Sequence, residues 1–234
     1  MPVALRLLAN FAVTIALCVY VLRQCRKPSG WLGRGMVKTM NRSHAALTAW
    51  GLEHIPIRDR DTVLDIGCGG GQTVGRLAAL TPRGKVHAVD YSAASVAATR
   101  AHNLAEVESG HVQVQEASVS RLPFDNDFFD AITAIETHYY WPDYVNDLRE
   151  VCRVLKPGGS LLIVAESYRR EGGHARGMKL LGGTDFTPTN HRDSLTQAGY
   201  TAVEVFLKKG WLCALARKPD PASPNHIDAT PRVV

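Results

Sequence analysis

VLDIGCGGGQT, from Val63 to Thr73, is the stretch that decides the fold of this chain of 234 residues. A short apolar run contains Asp65 near its end, and four glycines then occupy five positions from Gly67 to Gly71. Glycine buries nothing and costs conformational entropy, so this crowding indicates that a ligand passes close to the backbone. The next residues have the apolar spacing of a helix. The stretch therefore predicts a strand, a tight ligand-binding loop and a helix.

Strands and helices are predicted to alternate along most of the chain. Alternation of this kind is typical of an α/β fold with a mostly parallel sheet, here of seven strands. The last two strands flank Lys209 and Gly210 and predict a C-terminal antiparallel hairpin. The predicted strands are 62–67, 85–90, 112–117, 129–136, 160–167, 202–208 and 210–217, and the predicted helices are 37–54, 71–80, 92–106, 144–155 and 192–200.

The chain is long enough for one core of ordinary size and too short for two. We expect a single α/β domain over residues 37–217, preceded by a Gly/Pro-containing linker at 27–36 and an apolar helix at 1–26. The tail at 218–234 is rich in proline and polar residues, a composition that predicts disorder.

The apolar segment from Leu7 to Leu22 is interrupted by only two polar residues, Asn10 and Thr14. As a helix it would be roughly 24 Å long. A membrane anchor is the favoured interpretation, because basic residues follow the segment and would keep that side, with the domain, in the cytoplasm. A secretory signal lacks a small-residue cleavage site here. A helix buried against the domain is the third interpretation, although a surface helix normally has a polar face.

Charge and cysteine patterns exclude several function classes. The 27 basic and 22 acidic residues give a net charge of +5, but no acidic residue precedes Glu53. The body after residue 52 is slightly acidic, which argues against nucleic acid as a partner and favours a membrane surface. The five cysteines are scattered, and no pair has metal-ligand spacing, so we expect no metal. The basic residues before Glu53 are Arg6, Arg23, Arg26, Lys27, Arg34, Lys38 and Arg42.

Two ligands suit the glycine loop: a dinucleotide pyrophosphate and the methionine end of S-adenosylmethionine. The dinucleotide pattern needs glycine at position 72, where this chain has Gln72. Asp65 is poorly placed beside a pyrophosphate but could accept hydrogen bonds from an α-ammonium group. Asp90, at the end of the second strand, could accept from ribose hydroxyls, and Tyr91 could lie against adenine. We also expect the loop N–H groups to be free to donate.

Four segments of the chain are informative together: VLDIGCGGGQT, VHAVDYS, SRLPFDNDFFDAITA and LREVCRVLKPGGSLLI. With them the chain resembles the class I S-adenosylmethionine-dependent methyltransferases, in particular the branch with quinone and sterol methyltransferases. The segments stand in the family's order and at its spacing. The resemblance implies a Rossmann-like fold, S-adenosylmethionine as cofactor and methyl transfer.

The resemblance also assigns cofactor-binding positions. The methionine end would be held by the first strand and its loop, the ribose by Asp90 and the adenine by Tyr91. Near the adenine amino group, Ser118 stands where family members commonly have an acidic residue, and Val119 follows it. The implied residues are Asp65, Gly67, Gly69, Gly71, Asp90, Tyr91, Ser118 and Val119.

The segment ETHYYWPD, 136–143, follows the fourth strand, and in the resembled family it lies beside the transferred methyl group. A hydroxyl or thiol acceptor needs a base, for which His138 is the first candidate and Glu136 the second. Tyr139 and the two aromatic residues after it could form a wall against a flat acceptor. On the helix before the first strand, His44 could also point into the pocket.

Two hypotheses of function follow. The first is a methyltransferase that acts on a small, lipophilic acceptor at a membrane, with its domain on the cytoplasmic side. The second is a membrane-tethered S-adenosylmethionine-binding module that regulates a partner without turnover. A protein or nucleic-acid methyltransferase lacks support, since the sequence shows neither a recognition domain nor a basic body.

Overall fold

The computed structural model describes residues 42–166, 184 and 186–222, together with scattered positions between residues 11 and 36. The strands of the described part are β1 (Thr62–Ile66), β2 (Lys85–Asp90), β3 (Val112–Glu116), β4 (Phe129–Ile135), β5 (Leu155–Glu166), β6 (Thr201–Lys208) and β7 (Trp211–Arg217). The α-helices whose bounds the structure describes are α1 (Ala45–Leu52), α2 (Gln72–Leu80), α3 (Ala93–His102), α4 (Leu104–Glu108), α5 (Tyr144–Val154) and α6 (Pro188–Gln197).

These strands form one seven-stranded sheet in the order β3-β2-β1-β4-β5-β7-β6. The pairs from β3 to β5 are parallel, and β7 pairs antiparallel with both β5 and β6. The predicted α/β sheet and C-terminal hairpin are confirmed. Because β1 lies between β2 and β4, the strand order reverses there, and the loops after these strands diverge to leave a crevice.

Helices cover both faces of the sheet. Adjacent strand residues point to opposite faces, so Val63 and Leu162 lie in one apolar cluster while Leu64 and Leu161 lie in the other. The first cluster packs against α1, α2 and α3, and the second against α5 and α6. Each large side chain buried completely in this way stabilises the fold by about 1.5–3 kcal/mol.

A glycine in α1 sets how closely that helix approaches the sheet. A Cβ atom on Gly51 would lie 2.5 Å from Cγ2 of Val164 in β5, closer than two carbon atoms can pack. Glycine therefore lets α1 lie directly on the sheet. The helix also carries His44 at its N-cap and Thr48 in its first turns, and its position fixes where these two side chains lie.

The predicted helix 92–106 is wrong in one respect, because it is divided into α3 and α4 at Asn103. The Asn103 side chain is buried, and its amide donates to the carbonyls of Gly71 and Thr99, each at 3.0 Å. The interruption therefore places a polar side chain against the glycine loop.

Two other boundaries differ from prediction. Strand β5 begins at Leu155 rather than at residue 160, with a register shift against Phe129 and Ala131. Helix α6 begins at Pro188 rather than at residue 192, because Thr187 caps it and forms a reciprocal capping box with the third residue of the helix.

None of the helices among the described residues has both the length and the apolar content needed to cross a membrane. Most of the predicted anchor, 1–26, lies outside these residues, as do 37–41 of the predicted first helix and 223–234 of the predicted tail. The apolar anchor helix and the orientation of the domain therefore stay predictions that the structure does not support.

Candidate active site

A cavity opens in the crevice at the carboxyl ends of β1, β2 and β4. It is bordered by the glycine loop and the start of α2, by the residues that follow β2 and β4, by α1, and by the chain before α1. The described residues that line it are Arg26, Pro28, His44, Thr48, Gly67, Cys68, Gly69, Gly70, Gln72, Thr73, Asp90, Tyr91, Ser95, Ile135, Glu136, Thr137 and Tyr140.

The glycines of the loop have positive φ angles of 76°, 52° and 83° at Gly67, Gly69 and Gly71. A Cβ atom on Gly67 would collide with Thr137, and one on Gly71 would lie 2.9 Å from Cα of Thr99. These two glycines therefore make room for other parts of the protein. A Cβ atom on Gly69 would meet its nearest neighbour only at 3.9 Å, and Gly69 lines the cavity, so the space there is available to a ligand.

The expectation of free loop amides is wrong for Gly67, Cys68, Gly69 and Gly71. The N–H groups of Gly67 and Cys68 donate to the carbonyl of Val89 at 2.8 and 3.1 Å, and that of Gly71 donates to the carbonyl of Cys68 at 2.9 Å. The N–H of Gly69 donates to Asp90 at 3.0 Å. A pyrophosphate needs free N–H donors, so these bonds disfavour a dinucleotide and suit a ligand with a positively charged end.

Asp90 lies at the end of β2 and lines the cavity, as predicted for a ribose-binding residue. Its Oδ2 accepts from the N–H of Gly69, and its Oδ1 accepts from the N–H of Ser92 at 2.9 Å. Each carboxylate oxygen has a second lone pair, so both can still accept from a ligand hydroxyl. Burial raises the pKa of Asp90, and the two N–H donors partly offset this. Tyr91 lies next to Asp90 on the cavity wall.

Four predicted cofactor residues, of which Gly71 is one, are not among the described residues that line the cavity. Asp65 is 2% exposed and accepts a hydrogen bond from Thr133 Oγ1 at 2.6 Å. Burial raises the pKa of Asp65 to about 7. Ser118 is exposed and Val119 is buried in the core, and neither is among the described residues that line the cavity. Direct contact between these residues and the cofactor stays a prediction.

Glu136 lines the cavity directly after β4, with a positive φ of 58°. Its Oε2 accepts from the Tyr139 hydroxyl at 2.9 Å, and its Oε1 accepts from the N–H of Glu166. His44 Nε2 lies 3.7 Å from the same Oε2. Burial raises the pKa of Glu136, and the nearby His44 counteracts this. The structure therefore brings Glu136, Tyr139 and His44 together.

His138, the first candidate for a base, lies in the core rather than on the described cavity wall. Its ring centroid is 4.8 Å from that of His191 and 5.9 Å from that of Tyr144. Burial lowers its pKa well below the ordinary value, and its Nδ1 has no hydrogen-bond partner among the described residues. The geometry does not favour a catalytic role for His138.

The predicted aromatic wall is formed only in part. Of the three aromatic residues that follow His138, only Tyr140 is among the described residues that line the cavity. Tyr139 lies behind it, where burial raises the pKa of its phenol well above the ordinary value. Trp141 is 8% exposed and belongs to the core.

The segment before α1 contributes residues that sequence analysis missed. The Tyr91 hydroxyl donates to the carbonyl of Arg26, and Ser92 Oγ donates to the carbonyl of Pro28 at 2.8 Å. The Lys27 ammonium lies 5.3 Å from the centre of the Tyr91 ring. The Gly/Pro composition predicted only a linker here, and no local pattern indicates contacts that span more than 60 residues of sequence.

Comparison with known proteins fits this geometry. The family model described as a methyltransferase domain matches residues 63–159. The cypemycin N-terminal methyltransferase of Streptomyces sp. is 31% identical over 184 residues, which cover 75% of this chain and 71% of that protein. This chain belongs to the class I S-adenosylmethionine-dependent methyltransferases. S-adenosylmethionine is the cofactor of that family, and the glycine loop and Asp90 provide a site that suits it.

Other methyltransferases are similar to this chain over a shorter part of its sequence or at lower sequence identity. Demethylmenaquinone methyltransferase of Lactococcus lactis is 32% identical over 108 residues, which cover 46% of this chain and 42% of that enzyme. A SAM-dependent methyltransferase structure from Aquifex aeolicus has a TM-score of 0.65 at 21% identity and covers 78% of this chain and 97% of that one. The chain spans only 40–42% of the length of several curated relatives. The fold predicted for the methyltransferase domain is confirmed.

The buried histidines behind the cavity predict a pH-dependent stability. Burial lowers the pKa of His191 from 6.5 to about 4, so between these values the unfolded chain binds a proton that the folded chain does not. In this window His191 lowers the free energy of unfolding as the pH falls, by about 3 kcal/mol in total. Urea unfolding at several pH values in this range gives the free energy of unfolding of the wild type and of His191→Gln. The difference between the two free energies should change with pH.

The exposed His102 provides the matched control, since His102→Gln removes a histidine that is not buried. A constant difference between the wild type and His191→Gln would show that His191 titrates normally and contradict its assignment to the buried cluster.

Proposed function

We propose that this chain transfers a methyl group from S-adenosylmethionine to a small, lipophilic acceptor at a membrane. The observation that carries the proposal is the single cavity that joins the glycine loop and Asp90 to a second set of groups suited to an acceptor, namely Glu136, His44 and Tyr140. The alternative is a regulatory module that binds the cofactor without turnover. Such a module would have no use for a carboxylate, an imidazole and an aromatic ring at the far end of the cavity.

The chain's own residues divide the cavity into two parts. At one end, Asp90 would hold the ribose hydroxyls and Tyr91 would lie against the adenine. The loop around Gly69 leaves room for the methionine end, and its engaged amides do not repel the ammonium group. When bound, the cofactor supplies an electrophilic methyl group, and the protein contributes orientation and exclusion of water. The acceptor would then occupy the end near Glu136.

Two features support a small, lipophilic acceptor. The cavity wall near Glu136 includes Ile135 and Tyr140, whose surfaces suit an apolar or aromatic compound. One relative is named for a quinone compound, demethylmenaquinone, and another for the N-terminus of cypemycin. Neither name refers to a nucleic acid. A quinol-like compound fits the first of these features better than a peptide does.

The cofactor part of the proposal predicts that Asp90→Asn weakens binding of S-adenosylhomocysteine about 10- to 100-fold. The proposal has the Asp90 carboxylate accept two hydrogen bonds from the ribose, and a hydrogen bond to a charged group is worth about 1.5–3 kcal/mol. The substitution removes that charge. Isothermal titration calorimetry measures the affinity, and thermal unfolding confirms that the variant is folded. The exposed Asp125 provides a matched control, because Asp125→Asn should bind as the wild type does. Equal affinity of all three proteins would contradict the placement of the ribose.

Turnover distinguishes the enzyme from the regulatory module. The wild type, incubated with S-adenosylmethionine and a panel of phenols, quinols, thiols and amines, is expected to release S-adenosylhomocysteine with at least one of them. Tight cofactor binding with no methylated product from any compound would favour the module instead.

The proposed membrane association rests on residues before Pro28. Phe11, Val13 and Tyr20 are helical and 66%, 67% and 50% exposed, so their apolar surfaces are available to lipid. The basic residues that follow would attract anionic headgroups. Because Pro28 lines the cavity, binding of this segment to a bilayer would bring a lipid-dissolved acceptor close to the site.

We therefore expect the full chain to float with vesicles that contain anionic phospholipid. The double variant Phe11→Asp, Val13→Asp should bind these vesicles at least about 10-fold more weakly, because charged side chains in a lipid-facing helix are costly. Leu104→Asp, at a 55% exposed apolar position on α4, is the control and should bind as the wild type does. Equal flotation of all three proteins would contradict a lipid contact through this segment.

A further inference from the structure

We propose that His44 and Glu136 form a proton-accepting pair and that the acceptor is a neutral hydroxyl on an aromatic ring. The inference rests on the proposed methyl transfer and specifies its acceptor end. His44 is the catalytic base, and Glu136 is a positioning residue that acts through it. Both line the cavity, and they come from elements that are far apart in the sequence, the N-cap of α1 and the residue after β4.

The His44 side chain stands at the N-cap of α1 but does not cap the helix. N-cap side chains normally accept a hydrogen bond from the first turn, and histidine is not among the preferred residues. His44 makes no such capping bond. Instead its Nε2 lies 3.7 Å from Glu136 Oε2, with the His44 and Glu136 side chains only 21% and 12% exposed. This distance is slightly long for a hydrogen bond, as catalytic contacts often are before substrate binds.

Glu136 is held in place by two hydrogen bonds and by an unusual backbone conformation. The Tyr139 hydroxyl donates to Oε2, the N–H of Glu166 donates to Oε1, and the backbone of Glu136 itself has a φ of 58°, which side-chain-bearing residues rarely adopt. A carboxylate fixed in this way can keep the facing imidazole in one orientation. In the tautomer that carries its proton on Nε2, which faces Glu136, Nδ1 of His44 is the nitrogen that can accept a proton.

The step balances with these groups alone. The acceptor oxygen attacks the sulfonium methyl group, an O–C bond forms, the S–C bond breaks and its electron pair stays on sulfur. The hydroxyl proton passes to Nδ1 of His44, and the resulting imidazolium is stabilised by the carboxylate of Glu136. The products are the methyl ether and S-adenosylhomocysteine, and the proton on His44 is later released to water.

The guanidinium of Arg26 and the ring of Tyr140 indicate which acceptor fits the cavity. Arg26 lines the cavity, and its guanidinium lies 6.0 Å from the centre of the Tyr140 ring, which also lines it. A positive charge here stabilises an oxygen that becomes anionic as it loses its proton, and it repels a protonated amine. The Tyr140 ring offers a flat surface to an aromatic acceptor. A phenol or a quinol meets both conditions.

The test compares two acceptors that differ in their need for a base. At about pH 8, 4-methoxyphenol is protonated, whereas most 4-nitrophenol is already ionised. For His44→Gln and Glu136→Gln we expect kcat/KM to fall at least about 100-fold with 4-methoxyphenol and less than about 3-fold with 4-nitrophenol. Affinity for S-adenosylhomocysteine should stay within about 3-fold of the wild type, because neither residue is assigned to the cofactor.

Matched controls exclude general effects of these substitutions. His102→Gln in α3 and Glu108→Gln in α4 change exposed residues of the same types, and both should behave as the wild type with both acceptors. If kcat/KM falls equally with the two acceptors, or if His44→Gln loses affinity for S-adenosylhomocysteine, the proposed proton-accepting pair is wrong. Either result would leave the proposed methyl transfer intact. A wild type that binds cofactor but methylates neither phenol, and methylates amines or thiols instead, would overturn the hydroxyl acceptor. No methylation of any acceptor would contradict the proposed function itself.

Discussion

The carboxylate of Asp90 is the interaction on which the rest of the site depends. It accepts from the N–H of Gly69 and from the N–H of Ser92, and so ties the loop after β1 to the end of β2. Ser92 in turn caps α3 and donates to the carbonyl of Pro28. One buried acidic residue thus connects the glycine loop, a helix and the segment before α1, and each of its carboxylate oxygens keeps a second lone pair that can accept a hydrogen bond.

Most of the fold, and the place of the glycine loop and Asp90 on the cavity wall, could be predicted from sequence, because these features depend on short-range patterns. The alternation of apolar runs and helices predicts the sheet, and Asp90 ends its strand at the spacing that nucleotide-binding folds share. The role of the glycines was predicted only in part. Gly67 and Gly71 make room for Thr137 and for residues around Thr99, contacts that no local pattern reveals.

The acceptor end could not be predicted because it depends on orientation and on long-range packing. His138 and Tyr140 are two residues apart, yet the 3-10 turn that contains both directs the first into the core and leaves the second on the cavity wall. His44 reaches Glu136 only because α1 lies close to β5, which Gly51 permits. A sequence shows that these side chains are present, but not which way a turn will point them.

The central claim is that one cavity seats the cofactor between Asp90 and Glu136, and a crystal structure of the full chain with S-adenosylhomocysteine tests it most directly. The account predicts ribose hydroxyls on Asp90, adenine beside Tyr91 and the sulfur atom at the Glu136 end of the cavity. A cofactor bound in the opposite direction, with its adenine near Glu136, or bound outside this cavity, would contradict it.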